Sequence, residues 1–211
     1  MELTARTPRR VEFVLDLICV HSYIALTRWS RAAKRFRDSG AEVEVVFRPF
    51  QLAPETPSTG RPLFEVHKEA FGEEKARAIV RDTGFGAEDG LRLNFERAVY
   101  TNTFEAHRLL ADAAGQGLGE AMAERLFRAY LTDGSNIGDP HTLARLADEI
   151  GVVRSEGGGT ALRAELDRVR TLGIGSVPLV LFDGGPALGG AQPEAVYFQA
   201  LTTQPDPSLR G

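Results

Sequence analysis

Four consecutive residues carry the chemistry most visible in this chain: Cys19-Val20-His21-Ser22. Cys19 is the only cysteine among the 211 residues, so the chain can form no disulfide with itself and no four-cysteine metal or iron–sulfur site. A thiol at the start of a helix meets unpaired backbone N–H groups and the positive end of the helix dipole. Both favour the thiolate, which is the nucleophilic form. His21 lies within the first turn; protonated it would favour the thiolate further, and neutral it could act as a base. Ser22, three residues after Cys19, is expected to offer the sulfur a hydroxyl hydrogen bond. A second feature lies far along the chain. Ser176-Val177-Pro178 precedes an apolar run at Leu179, and a proline opening a strand can adopt the cis form. Cys19 and His21 alone are too few to hold a metal, and His67, His107 and His141 fall on separate helical segments, so no metal is expected.

The surrounding pattern supplies elements to position these residues. Val11 to Leu15 has the density of β-branched and apolar residues of a strand. After Cys19 the period changes: Leu26, Trp29, Ala33 and Phe36 recur at three- and four-residue steps, one face of a helix that Asp38-Ser39-Gly40 ends. Glu42 to Phe47 alternates like a strand, which completes a βαβ unit. Residues 52–61, with two prolines and a glycine, read as a linker. From Pro62 to about Arg170 only amphipathic helical runs are expected, beginning with Glu65–Asp82, Asn102–Ala114 and Leu118–Leu131. A further helix opens at Asp139-Pro140, with Asp139 as N-cap. Gly157-Gly158-Gly159 breaks the chain, and Thr160 is expected to cap a helix reaching Arg170. Leu179–Phe182 and Ala187–Leu188 then read as a hairpin around Asp183-Gly184-Gly185. A last helix starts at Pro193, with Val196, Phe198 and Leu201 inward. The fold class is therefore α/β: a βαβ half (11–52) and a ββα half (160–203) forming one thioredoxin-like core, with an all-helical domain (62–159) inserted between them.

Composition bounds the remaining possibilities. The chain is 43% apolar and 26% charged, ordinary for a globular protein with a real core. A net charge of −4 argues against a nucleic-acid partner. No stretch approaches the roughly 18 apolar residues of a membrane span. The apolar segment Val11–Val20 is interrupted by Glu12 and Asp16 and has no cleavage site after it, so a cytoplasmic protein is expected. The segment 202–211, with Pro205 and Pro207, is expected to fray.

Several motifs in order resemble the DsbA-type thioredoxin-like family, in the branch of polyketide-associated dithiol–disulfide isomerases, 2-hydroxychromene-2-carboxylate isomerases and kappa-class glutathione transferases. They are Asp16-x-x-Cys19-x-x-Ser22-Tyr23-Ile24, Arg48-Pro49-Phe50-x-Leu52 and Asn102-Thr103-x-x-Ala106-His107-Arg108-Leu109-Leu110. They continue with Leu126-Phe127-x-Ala129-Tyr130, Val177-Pro178 and Gly190-Ala191-Gln192-Pro193. The resemblance implies that Cys19 matches the nucleophilic cysteine, or the glutathione-activating serine of the transferase branch. It implies that Pro178 is the cis-proline facing it, and that the Val177 backbone pairs with an extended substrate, with Ser176 beside it. The chain departs from the redox members at Ser22, where they carry a second cysteine. It can therefore form only a mixed disulfide, which an external thiol must resolve.

The expected activity is thiol–disulfide oxidoreduction or isomerisation by a monothiol, through Cys19, His21 and Ser22. No cofactor is expected to be tightly bound, and glutathione, mycothiol or another small thiol would be co-substrate. The partners are thiol- or disulfide-containing substrates, and the resemblance implies a homodimer. Alternatives are a glutathione-dependent transferase or isomerase and a non-catalytic thioredoxin-like binding protein. Asn102 and His107 are read as structural, holding helix ends, and Arg48 and Gln192 as scaffold near the rim.

Overall fold

The computed structural model describes residues 8–82 and 84–204; the expectation for 205–211 lies outside them. The chain runs β1 (Arg9–Leu15), α1 (Val20–Asp38), β2 (Val43–Pro49), β3 (Arg61–Pro62), α2 (Leu63–Phe71), α3 (Glu73–Arg81) and β4 (Val99–Tyr100). It continues with α4 (Phe104–Gly115), α5 (Gly119–Leu131), α6 (Pro140–Ile150), α7 (Gly159–Thr171), β5 (Leu179–Phe182), β6 (Ala187–Gly189) and α8 (Glu194–Thr202). A four-stranded sheet has the order β2-β1-β5-β6. β1 pairs parallel to β2 and antiparallel to β5, so the two halves of the chain do share one sheet.

Side-chain alternation sets what covers each face. Val11 and Phe13 are fully buried, and Val11 pairs with Phe182. Trp29 of α1 packs edge-on against Phe182 and against Tyr197 of α8. On the opposite face Glu12 pairs with Arg48, and Arg48 reaches Glu165 of α7. Arg48 is thus part of the scaffold, as expected. The hydrogen bonds from Arg48 hold the Glu12 carboxyl below its ordinary range.

Four expectations need correction. The insertion is not all-helical: β3 and β4 form a small antiparallel pair, too short to leave a period in the sequence. The run from Glu65 to Asp82 is two helices, because Gly72 adopts φ +88°, which continues no helix. α7 begins two residues early, with Gly158 rather than Thr160 at its N-cap, at φ +93°. α8 is rotated from its expected phase: Tyr197, Ala200 and Leu201 are buried, whereas Val196 and Phe198 are half-buried. Arg35 covers the Phe198 ring at 4.3 Å, which lets that ring sit at the edge of the core. The N-cap at Asp139 is as expected, its carboxylate accepting from Thr142 N at 2.8 Å.

Candidate active site at the start of α1

β1 ends at Leu15, and a tight turn separates it from α1. Cys19 N donates to Asp16 O at 3.0 Å, which closes that turn and makes Cys19 the N-cap residue, with extended backbone angles. No cap side chain takes up the first N–H groups of α1, so they are left facing the thiol's end of the helix. Cys19 is 8% exposed, a buried free thiol.

The residues before β5 meet it there. The Val177–Pro178 peptide is cis, and Cys19 Sγ donates to Val177 O at 3.7 Å. Two segments 158 residues apart are so brought together, as the sequence reading expected. Pro178 is buried, Val177 half-buried and Ser176 exposed. Pro178 O in turn accepts from Gly190 N at 2.9 Å, which ties the cis-proline turn to the loop after β6. Gln192 braces that loop by donating to Gly189 O.

The remaining motif residues divide. His21 is exposed, its ring edge-on to Phe85 at 5.8 Å. Ser22 is fully buried, and its Oγ makes no hydrogen bond among the described residues, so the expected hydroxyl contact to sulfur is not made. Ser22 lies on the buried face of α1, beside Tyr23 and Ile24, and that face turns its side chain inward.

Beneath Cys19 lies a polar floor that the motif reading did not assign. Asp16 is fully buried; its Oδ2 accepts from Leu52 N at 2.6 Å, and its Oδ1 lies 3.5 Å from His107 Nε2. His107 Nε2 also meets Phe50 O at 2.9 Å; a carbonyl can only accept, so Nε2 carries a proton. Asn102 donates to Pro54 O and accepts from Phe104 N, which fixes the start of α4 and bears out its structural reading. Burial, then the Asp16 carboxylate, pushes the Tyr130 phenol well above its ordinary range and raises that of Tyr100. Both phenols therefore stay protonated.

A cavity of about 330 Å³ opens beside Val20, the residue after the thiol. Val20, His67, Ile79, Phe85 and Phe95 line it, with Asp82 at its edge. Burial lowers the pKa of His67, so its imidazole adds no charge to this wall at neutral pH. The only signal for this cavity in the sequence was the aromatic pair Phe85 and Phe95, which carries no period. Among the described residues no group of three His, Cys, Asp or Glu could hold a metal, and no helix is long and apolar enough to cross a membrane.

A βαβ half and a ββα half in one sheet, with a helical insertion and a cysteine at the N-cap of α1 opposite a cis-proline, define a thioredoxin-fold protein of the DsbA type. Comparison with known proteins agrees. The model of the DSBA-like thioredoxin domain matches residues 10–202, and the chain belongs to that family. It is similar to the probable DsbA oxidoreductase SCO1869 from Streptomyces coelicolor, at 28% identity over 92% of this chain and 88% of that one, with a TM-score of 0.81. Cytosolic disulfide reductase DsbM from Pseudomonas aeruginosa, solved with GSH, shares the fold at 20% identity, over 81% of this chain and 84% of that one (TM-score 0.51). A 2-hydroxychromene-2-carboxylate isomerase does so at 14% identity, over 86% and 89% (TM-score 0.59). The curated relative YwbO of Bacillus subtilis (strain 168), an uncharacterized protein, is 25% identical over 65% of this chain, and the match spans 64% of its own length.

Proposed function

We propose that the chain is a monothiol thiol–disulfide oxidoreductase or isomerase in which Cys19 is the nucleophile. The observation that carries this reading is the placement of the only thiol at the uncapped start of α1, 3.7 Å from the carbonyl that precedes the cis-proline. The Cys19 thiolate attacks one sulfur of a substrate disulfide. A Cys19–substrate disulfide forms, the substrate S–S bond breaks, and the other sulfur leaves as a thiolate. With serine at position 22 the chain has no thiol to displace the bound half. A small external thiolate attacks the mixed disulfide, forms a new disulfide with the substrate half and restores the Cys19 thiolate. The backbone at Val177 offers an extended substrate a strand-like partner, and Ser176, exposed beside it, lines the approach. The neighbour solved with GSH supports glutathione as one such thiol. A reducing compartment, the cytoplasm, suits this cycle because it supplies the resolving thiol.

The test is turnover of a small mixed disulfide with excess glutathione. The wild type should turn over, and Cys19→Ser should lose all activity above background. Equal rates for the two would overturn the reading.

One observation favours a second reading. The apolar, aromatic-walled cavity beside Val20 has room for an aromatic substrate. A glutathione-dependent transferase or isomerase would hold glutathione at Cys19 and its electrophile in that cavity. Turnover of an aromatic electrophile with glutathione, without disulfide exchange, would favour it.

A further inference from the structure

Two fragments singled out in the sequence, Asp16-x-x-Cys19 and Asn102-Thr103-x-x-Ala106-His107, meet under the thiol, and the exchange chemistry uses neither Asp16 nor His107. Asp16 holds three segments at once. Its backbone carbonyl receives Cys19 N, its Oδ2 receives Leu52 N, and its Oδ1 faces His107 Nε2. His107 is 3% exposed and reaches from α4 to the Phe50 carbonyl, so the helical insertion grips the end of β2 at this point. A fully buried carboxylate with one oxygen lacking a hydrogen bond is a poor stabilising device, because desolvation outweighs a single attraction at 3.5 Å. An apolar or amide side chain there would serve the fold at least as well. Burial and then the Asp16 charge raise the pKa of the Tyr100 and Tyr130 phenols, and Cys19 acts in the same direction on Tyr130.

We infer that Asp16 and His107 form a positioning pair for Cys19, through which the helical insertion fixes the turn that presents the nucleophile. The inference rests on Cys19 being the reactive group. Neither residue touches the substrate; each acts through the turn. A shift of about 1 Å at a reacting atom can cost roughly a hundredfold in rate.

The experiment measures the second-order rate constant for alkylation of Cys19 by iodoacetamide, together with Tm, in the full chain. Asp16→Asn keeps the acceptor for Leu52 N and removes the buried charge. It should lower the rate constant roughly ten- to hundredfold and leave Tm unchanged or raised. His107→Leu should lower both, because it leaves the carboxylate buried without a partner. His107→Gln, whose amide can still donate to Phe50 O, should recover most of the rate. The double variant Asp16→Asn/His107→Leu should react no more slowly than the slower single variant. A pair that merely held the fold would change Tm and leave the rate constant of the folded protein untouched, and that result overturns the inference. So do losses that multiply in the double variant. An unreactive Cys19 in the wild type overturns this inference and the thiol-exchange reading together, whereas a reactive wild type with unchanged variants overturns the pair alone.

Discussion

The two walls of the cavity beside Cys19 are built on different physics. α1 spans 19 residues, and nine of them are buried, Trp29 completely. α2 and α3 have nine residues each, and each buries one, Leu63 and Ala76. Their side chains make exposed ion pairs instead: Glu69 with Arg61 of β3, and Glu73 with both Arg77 and Lys68. Such pairs contribute little because solvent screens them and long side chains lose entropy in making them. On the proposed function, Cys19 rides on the anchored wall, and a substrate in this cavity would meet the weakly held one.

The largest effect should come from α1. Trp29→Ala removes a fully buried indole from between Phe182 and Tyr197 and should cost about 3–5 kcal/mol in urea unfolding. A loss under about 1 kcal/mol would mean that α1 is not anchored as described. Next, amide exchange should separate the walls. Amides of α2 and α3 should exchange on the order of a hundredfold faster than those in the middle of α1, by opening locally. Equal protection would remove the contrast. A smaller effect belongs to β1, which leads into the turn before the thiol. The folded state lowers the pKa of Glu12 through its hydrogen bonds with Arg48. The ion pair therefore stabilises fully above the unfolded-state value, and that contribution fades as pH falls through the lower, folded-state value. Glu12→Gln should lower Tm at neutral pH and match the wild type in strong acid; a gap that widens in acid would reverse the sign. The smallest effect should be Arg77→Ala, which breaks an exposed pair with Glu73 and should leave Tm within error by calorimetry.

The contrast between the walls also explains what could be read from the sequence. α1 was legible because Leu26, Trp29, Ala33 and Phe36 keep a strict period, and all four are buried. The α2–α3 break was missed although Gly72 followed by Glu73-Glu74 is a helix stop and start; amphipathic residues on both sides hid it. The residues of β3 and β4 are too few to show a period. The pairing of Cys19 with the Val177–Pro178 segment was accessible through the family resemblance, whose motifs place each at a recognisable junction, strand to helix and loop to strand. The floor was not. Asp16 and His107 were both visible in motifs, but only the tertiary fold brings residues so distant in sequence to 3.5 Å. Ser22 failed in the opposite way: closeness in sequence suggested a contact with sulfur that helix rotation turns into the core.

The central claim, that Cys19 is a reactive thiol in the folded chain, is tested most directly by intact mass after incubation with glutathione disulfide. The wild type should gain one glutathionyl group, lose it again with excess glutathione, and Cys19→Ser should gain none. A folded wild type that stays unmodified, while the denatured chain is readily modified, would contradict the account.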